Sequence, residues 1–248
     1  MNMNTNGNVY TVIYSTVIVV LVAAILAFTA LSLKPRQDAN AKAETISQML
    51  TAAHIYTKDE CSAMGNDKVL EAYSSNIKAA YVVDANGKKV GDLNTEVKSI
   101  ELRDGLKAID KGIRGGNAVE LPVYVFTKDG SDITVIPCYG AGLWGPVWGY
   151  LAFSTDGKTF VGAYFDHDSE TPGLGGKIKD DPSFRAEFDG KVADFNASPI
   201  FSIVKGGAPE GKLNAIDAIT GATMTSNGLS AAIETWLEAY KPYFLSNE

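Results

Sequence analysis

Three segments hold residue types suited to ligand chemistry. Between residues 217 and 225 the chain reads Asp-Ala-Ile-Thr-Gly-Ala-Thr-Met-Thr, a hydroxyl-rich turn with one glycine. Directly after it, Leu229, Ala232, Ile233, Trp236, Leu237 and Tyr240 recur at helical spacing. That stripe predicts an amphipathic helix from about Ser226 to Lys241, stopped before Pro242. A turn that opens a helix offers N–H groups without intrahelical partners and the positive end of the helix dipole, so it suits a phosphate. Gly221 and Ala222 let backbone come close to a ligand. The plainer alternative is an ordinary N-cap in which Thr225 or Ser226 satisfies the first N–H groups. Spacing alone leaves both open.

The other two segments lie in a glycine cluster: nine of the chain's 24 glycines fall between Gly140 and Gly176. Gly140-Ala-Gly-Leu-Trp-Gly145 joins two expected strands, and His167-Asp-Ser-Glu-Thr-Pro-Gly-Leu-Gly-Gly176 follows the next hairpin. Neither fits a phosphate fingerprint, since the strand-GxGxxG-helix context and the GxxxxGK[ST] pattern are both missing. They could be two tight loops, or a cleft wall where backbone and Trp144 approach a flat aromatic ring.

The elements that must position these segments are largely β. LPVYVFT and SDITVIPCYG flank Asp129-Gly130, and WGYLAFST and KTFVGAYFDHD flank Asp156-Gly157. Asx-Gly between β-branched and aromatic runs predicts hairpins. IFSIVKGG predicts a strand near 200–204, and Phe184 and Phe188 predict a short helix. Upstream, KAAYVVDANGKKVGD predicts a β-rich run closed at Asn86-Gly87. Ile46, Met49, Leu50 and Ala53 predict a helix across about 43–57, and Thr95 to Lys111 reads as helical, ending at Gly112, Gly115 and Gly116. Hairpins with separate flanking helices give an α+β class, on an antiparallel or mixed sheet.

Charge divides the chain sharply. It carries 22 Lys+Arg and 29 Asp+Glu, a net of −7, and none of these charges precedes Lys34. Val9 to Leu33 is uncharged; as a helix it would span roughly 38 Å, against about 30 Å of hydrocarbon. A signal peptide would have a charged n-region and a shorter apolar run, so a retained single-span anchor is expected. Lys34, Arg36 and Lys42 follow it, but so few charges before a large domain do not fix sidedness. The expected layout is a tail over 1–8, a transmembrane helix over 9–33, a polar linker over 34–44, a helix-rich part over 45–120 and a ligand-binding domain over 121–248.

Several function classes fall away. An acidic chain without a basic stripe is a poor nucleic-acid binder. With 46% hydrophobic residues the chain is not disordered. Cys61 and Cys138 form no CxxC, and whether they pair stays open. His54 and His167 are the only histidines, which argues against a histidine-based metal site. No GxSxG exists for serine hydrolysis, and no catalytic residue is singled out.

Taken in order, GAGLWG, HDSETPGLGG and DAITGATMT resemble the FMN-binding domain family in which the flavin is attached to threonine through its phosphate. The match covers about 121–240. The anchor helix and overall length make the chain similar to the C subunits of Na⁺-translocating NADH:quinone reductases; the G subunits of Rnf-type electron-transport complexes are the sister family. The resemblance implies that Thr223 carries FMN as a phosphoester. Asp217, Thr220, Gly221, Ala222 and Thr225, with Met224 inside the same run, match the recognition pattern of a flavin transferase, a separate enzyme that uses FAD and a divalent cation. Trp144, Glu170, Thr171 and Leu174 match ring-lining positions, and Lys205 is a candidate for the ring edge or the phosphate charge. The implied function is one-electron relay toward quinone within a membrane complex, coupled to Na⁺ export, with the flavin domain outside the cytoplasm of a bacterial inner membrane. The G subunit of an Rnf-type ferredoxin:NAD electron-transport complex, a stand-alone extracytoplasmic flavin reductase and an FMN sensor module are the other readings.

Overall fold

The structure is a computed structural model that describes residues 7–93, 95 and 100–246. It divides into two units, Met1–Ala41 and Lys42–Glu248. The first holds most of helix α1 (Asn8–Ala52), the one helix among the described residues that is long and apolar enough to cross a membrane. No part of its most apolar stretch is buried by protein. The segment expected as a polar linker, 34–44, is helical throughout. Alanines, Gln37, Lys42 and Glu44 favour helix, and Lys34 pairs with Asp38 one turn on at 2.9 Å, so the helix continues through Pro35 despite the N–H bond it removes and its crowding of the preceding turn.

In the second unit the end of α1 leads through Thr57 into α2 (Lys58–Met64), followed by α3 (Asn66–Asn76). The helix expected to reach about 57 stops at Ala52, because Thr57 and Glu60 form a reciprocal capping box that starts α2. Then come β1 (Ile77–Val83), β2 (Lys89–Asp92), α4 (Arg103–Arg114), β3 (Leu121–Lys128), β4 (Ser131–Ala141), β5 (Pro146–Phe153) and β6 (Phe160–His167). Two short helices, α5 (Lys177–Asp180) and α6 (Pro182–Ala186), precede β7 (Ser202–Val204), β8 (Ala215–Asp217) and α7 (Thr223–Ser246). Helix expected from Thr95 begins only at Arg103; residues 94 and 96–99 of that expectation lie outside the described residues.

Six strands form one antiparallel sheet in the order β2-β1-β3-β4-β5-β6, and β7 and β8 form a parallel pair. Both expected hairpins are present, and the β-rich run closed at Asn86-Gly87 pairs as a third, β1 with β2. The boundary expected at 120 fails, since β1 pairs with β3 through Tyr81↔Val123 and so belongs to the same sheet.

Both faces of the sheet are covered. Val123, Ile136, Cys138, Leu151 and Phe165 face α4, α7 and the 177–222 segment, while Tyr124, Phe126, Val135, Tyr150 and Tyr164 face α2, α3 and the end of α1. Strands buried on two sides read as continuous apolar runs, which is why VYVF and ITVI carry no polar alternation. Cys61 and Cys138 fall in different cores, and both are free thiols that burial pushes to higher pKa.

Helix α7 runs through Pro242 rather than stopping before it. An interior proline costs a helix about 3 kcal/mol. Tyr243 and Phe244 are 9% and 5% exposed, and burying each contributes about 1.5–3 kcal/mol, enough to offset that cost. The Tyr243 hydroxyl also meets that of Tyr81 at 2.7 Å.

Candidate functional site

The start of α7 is the meeting point of all three candidate segments. The end of β4 and the β4–β5 loop, residues 142–145, pack on α7 where the chain has Gly228, and a Cβ there would run into the Ala141 carbonyl. The loop after β6, residues 168–176, lies against the same place: a Cβ on Gly175 would sit 2.5 Å from Thr225 Oγ1. Segments this close at a helix start require glycine on both sides.

Glu170 joins the three. It is 4% exposed. Its Oε1 accepts the N–H groups of Leu143 at 2.7 Å and Trp144 at 2.9 Å, and its Oε2 accepts the Thr225 hydroxyl at 2.5 Å. Burying a carboxylate costs several kcal/mol. Three hydrogen bonds to a charged group, at about 1.5–3 kcal/mol each, offset that. The Glu170 N–H is in turn held by His167 Nδ1 at 3.2 Å. Below His167, Asp166 accepts from Gln48 at the end of α1 and pairs with Lys179 at 2.8 Å.

The turn itself is tightly specified. Ala222 donates to the Ile219 carbonyl, Gly221 takes φ +81, and the Ile219 N–H donates to the buried Ser226 hydroxyl at 3.1 Å. Leu174 packs beside Gly221, with a Cβ there only 3.1 Å from Leu174 Cδ2. The first i→i−4 bond of α7 runs from Ser226 to Ala222, so the amides of Thr223, Met224 and Thr225 precede it and are the kind of donors that take an anion. Among the hydroxyls, Thr225 and Ser226 are engaged by protein. That of Thr223, the half-buried first residue of α7, makes no hydrogen bond among the described residues.

Around this start stand apolar side chains that the protein leaves uncovered. Trp144 is 66% exposed, Met224 60%, Leu143 47% and Leu174 45%. Large apolar groups exposed together mark a ligand or partner site. A hydroxyl and free amides at a helix start, beside exposed aromatic and aliphatic walls, fit a phosphate-bearing flat ring.

A model of the FMN-binding domain matches residues 142–238. The C subunit of the Na(+)-translocating NADH-quinone reductase of Vibrio vulnificus (strain YJ016) is 33% identical over 234 residues, which cover 88% of this chain and 86% of that one. The chain belongs to the C-subunit family of Na⁺-translocating NADH-quinone reductases. The family member of Yersinia pestis is 32% identical over 240 residues, 92% of this chain and 87% of that one. Crystal structures agree: the C subunit of Parabacteroides distasonis superposes with a TM-score of 0.67 at 29% identity, over 86% of this chain and 96% of that one. Shewanella oneidensis NqrC gives 0.65 at 27%, over 84% and 98%.

Within this family member the structure sorts the expected site residues. Gly221, Thr223 and Met224 form one helix start, Leu174 packs on Gly221, and the Trp144 N–H ties its loop to the same place through Glu170, with Thr220 exposed and Ala222 buried beside them. Glu170 and Thr225 are linked to each other and turned inward. Thr171 is exposed, and its carbonyl accepts from Leu174 and Gly176, which shapes the loop. Asp217 ends β8; its Oδ1 accepts the Ala208 N–H at 2.7 Å and its N–H donates to Glu187, whose carboxyl is pushed up by burial. Lys205 is exposed and follows Val204, whose backbone pairs with Asp217 and accepts the Ala218 N–H, so its place in the chain is beside the segment that leads into the turn. Ser226 was read only as a possible cap for the first N–H groups of the helix, and its hydroxyl instead accepts the Ile219 N–H. Gly228 escaped the sequence reading, but it could have been found as a glycine inside an apolar-striped helix, which costs about 1 kcal/mol unless a close approach needs it.

Proposed function

We propose that this chain carries FMN as a phosphoester on Thr223 and relays single electrons toward quinone in a membrane-bound Na⁺-translocating NADH-quinone reductase. The observation that carries this reading is the engagement of Thr225 and Ser226 by protein, while the Thr223 hydroxyl stands at the helix start without a protein partner among the described residues. The donor set fits the group: the first amides of α7 face an anion, and Trp144, Leu174 and Met224 supply apolar cover for a ring. Bound FMN supplies one-electron redox chemistry; the protein positions it.

Thr223 Oγ anchors the phosphate, and the helix start holds its charge. Trp144 and Leu174 cover the ring and exclude water. Thr171 lines the ring, and Lys205 serves its edge or the phosphate charge. Glu170 acts behind them, fixing the loop that bears Trp144 against the helix that bears Thr223. Threonine has no depressed pKa of its own, and His167 is occupied with the Glu170 N–H. A separate flavin transferase, using FAD and a divalent cation, therefore makes the bond after recognising Asp217 to Thr225.

The test is to produce the chain with and without the transferase, denature it, and look for in-gel flavin fluorescence and an FMN adduct on the peptide containing Thr223. Wild type gains both only with the transferase, and Thr223→Ala gains neither. Unlabelled wild type, or a labelled Thr223→Ala protein, would overturn the assignment. At the level of the complex, the other membrane subunits are the partners, and NADH-driven quinone reduction rises with Na⁺. Activity indifferent to Na⁺, with ferredoxin as donor, would favour an Rnf-type role.

A further inference from the structure

We infer that a cationic groove beside the Trp144 loop is the docking surface for an acidic segment of the partner protein that exchanges electrons with this domain; the electron-exchange part rests on the flavin reading above. The groove, of ≈ 1330 Å³, lies between α4 and the β4–β5 loop and ends at Gly228 and Ala231 of α7. Lys107, Lys111 and Arg114 line it from successive turns of α4. Asp110 is the one acidic side chain among its lining residues, and it is already engaged: Oδ2 accepts from Arg114 Nε at 2.9 Å and Oδ1 from Trp236 Nε1 at 3.1 Å. Lys107 and Lys111 are exposed and form no ion pair among the described residues. This positive surface stands on a chain of net charge −7, so it is a local reversal of the background.

Its remaining wall is apolar, from Leu143 and Trp144. An exposed aromatic anchor with an arginine beside it and a polar margin is the composition of a protein interface, and three cations without a stripe are too few for nucleic acid. An acidic segment seated here would pair with Lys107 and Lys111 and pack on Trp144. Trp144 also borders the candidate flavin position, so the partner would lie one side chain from it. Opposite charges across such a surface raise the rate of encounter, and that effect weakens with salt.

The test uses the assembled complex with Lys107→Glu and Lys111→Glu together, and with the neutral pair Lys107→Gln and Lys111→Gln. At low ionic strength, NADH-driven quinone reduction should fall about ten-fold with charge reversal and a few-fold with neutralisation, the difference narrowing at high salt. In-gel flavin fluorescence should equal that of wild type, which shows that the cofactor is attached to the same extent, and the urea midpoint of the purified chain should match wild type, which shows that the fold is intact. A photo-crosslinking residue placed at Lys111 should capture an Asp/Glu-rich peptide of another protein of the complex. Wild-type activity of the reversed pair at low salt, a crosslink to lipid alone, or flavin loss caused by the substitutions would overturn the docking surface. Absence of flavin from wild type would instead overturn the flavin reading, and the crosslink would still decide the surface.

Discussion

Glu170 sits among glycines because each of its oxygens already has work within the protein. Gly142 and Gly175 leave the space its carboxylate fills, and a Cβ on either would collide with it. It therefore acts on the candidate cofactor through the segments it ties together. Thr225→Val should remove one charge-assisted bond and leave a buried oxygen short of a donor, at a cost of about 1–3 kcal/mol. The urea midpoint should fall with an unchanged m-value, and Thr225→Ser should recover most of the loss; a midpoint equal to wild type would remove the clamp from the account. At this scale the turn was legible, since Thr220 to Thr225 stand as a recognisable pattern. The division of labour among its hydroxyls was not, because it depends on Glu170, a residue 55 positions away from Thr225.

Among elements, the hairpins were read correctly because their determinants are local: β-branched runs closed by Asx-Gly. The Asp156 turn shows the local chemistry. Burial pushes its carboxyl up, but the hydroxyls of Ser154 and Thr159 and the N–H groups of Thr159 and Lys158 outweigh this and hold it well below the usual carboxylate range. A depressed folded pKa contributes stability that is complete above the unfolded value near 3.9 and lost as pH falls through the folded one. Asp156→Asn should therefore cost about 0.5–1.5 kcal/mol at neutral pH and flatten the decline in stability between about pH 5 and 2. Urea midpoints measured across that range check it, and parallel wild-type and variant profiles would refute it. Helix ends were read less well. Pro242 and the charged 34–44 segment look like breaks in one dimension, but burial of Tyr243 and Phe244 in the first case, and flanking helix formers in the second, outweigh the local penalty.

The whole molecule joins an apolar helical unit to a folded unit that begins at Lys42. If the flavin unit lies outside the cytoplasm, protease added to intact spheroplasts should cut near that junction and release a folded, soluble fragment that keeps its flavin fluorescence. Protection in spheroplasts, with cleavage only in inverted vesicles, would reverse the sidedness. The boundary expected at residue 120 was placed where composition changes, yet composition does not report strand pairing. β1 joins β3 across an intervening helix, and only the folded backbone records that.

What the sequence determined by itself is everything set by neighbours along the chain: the uncharged anchor, the hairpins, the apolar stripe of α7, and a threonine turn similar to a known family. Tertiary structure decided the rest. It brought residues 142–145, 170–175 and 223–228 to one helix start, it turned Thr225 inward and left Thr223 available, and it set Lys107 and Lys111 beside Trp144. These depend on close packing between distant segments, where a missing Cβ or a single buried carboxylate selects the arrangement, and no local pattern encodes such a contact.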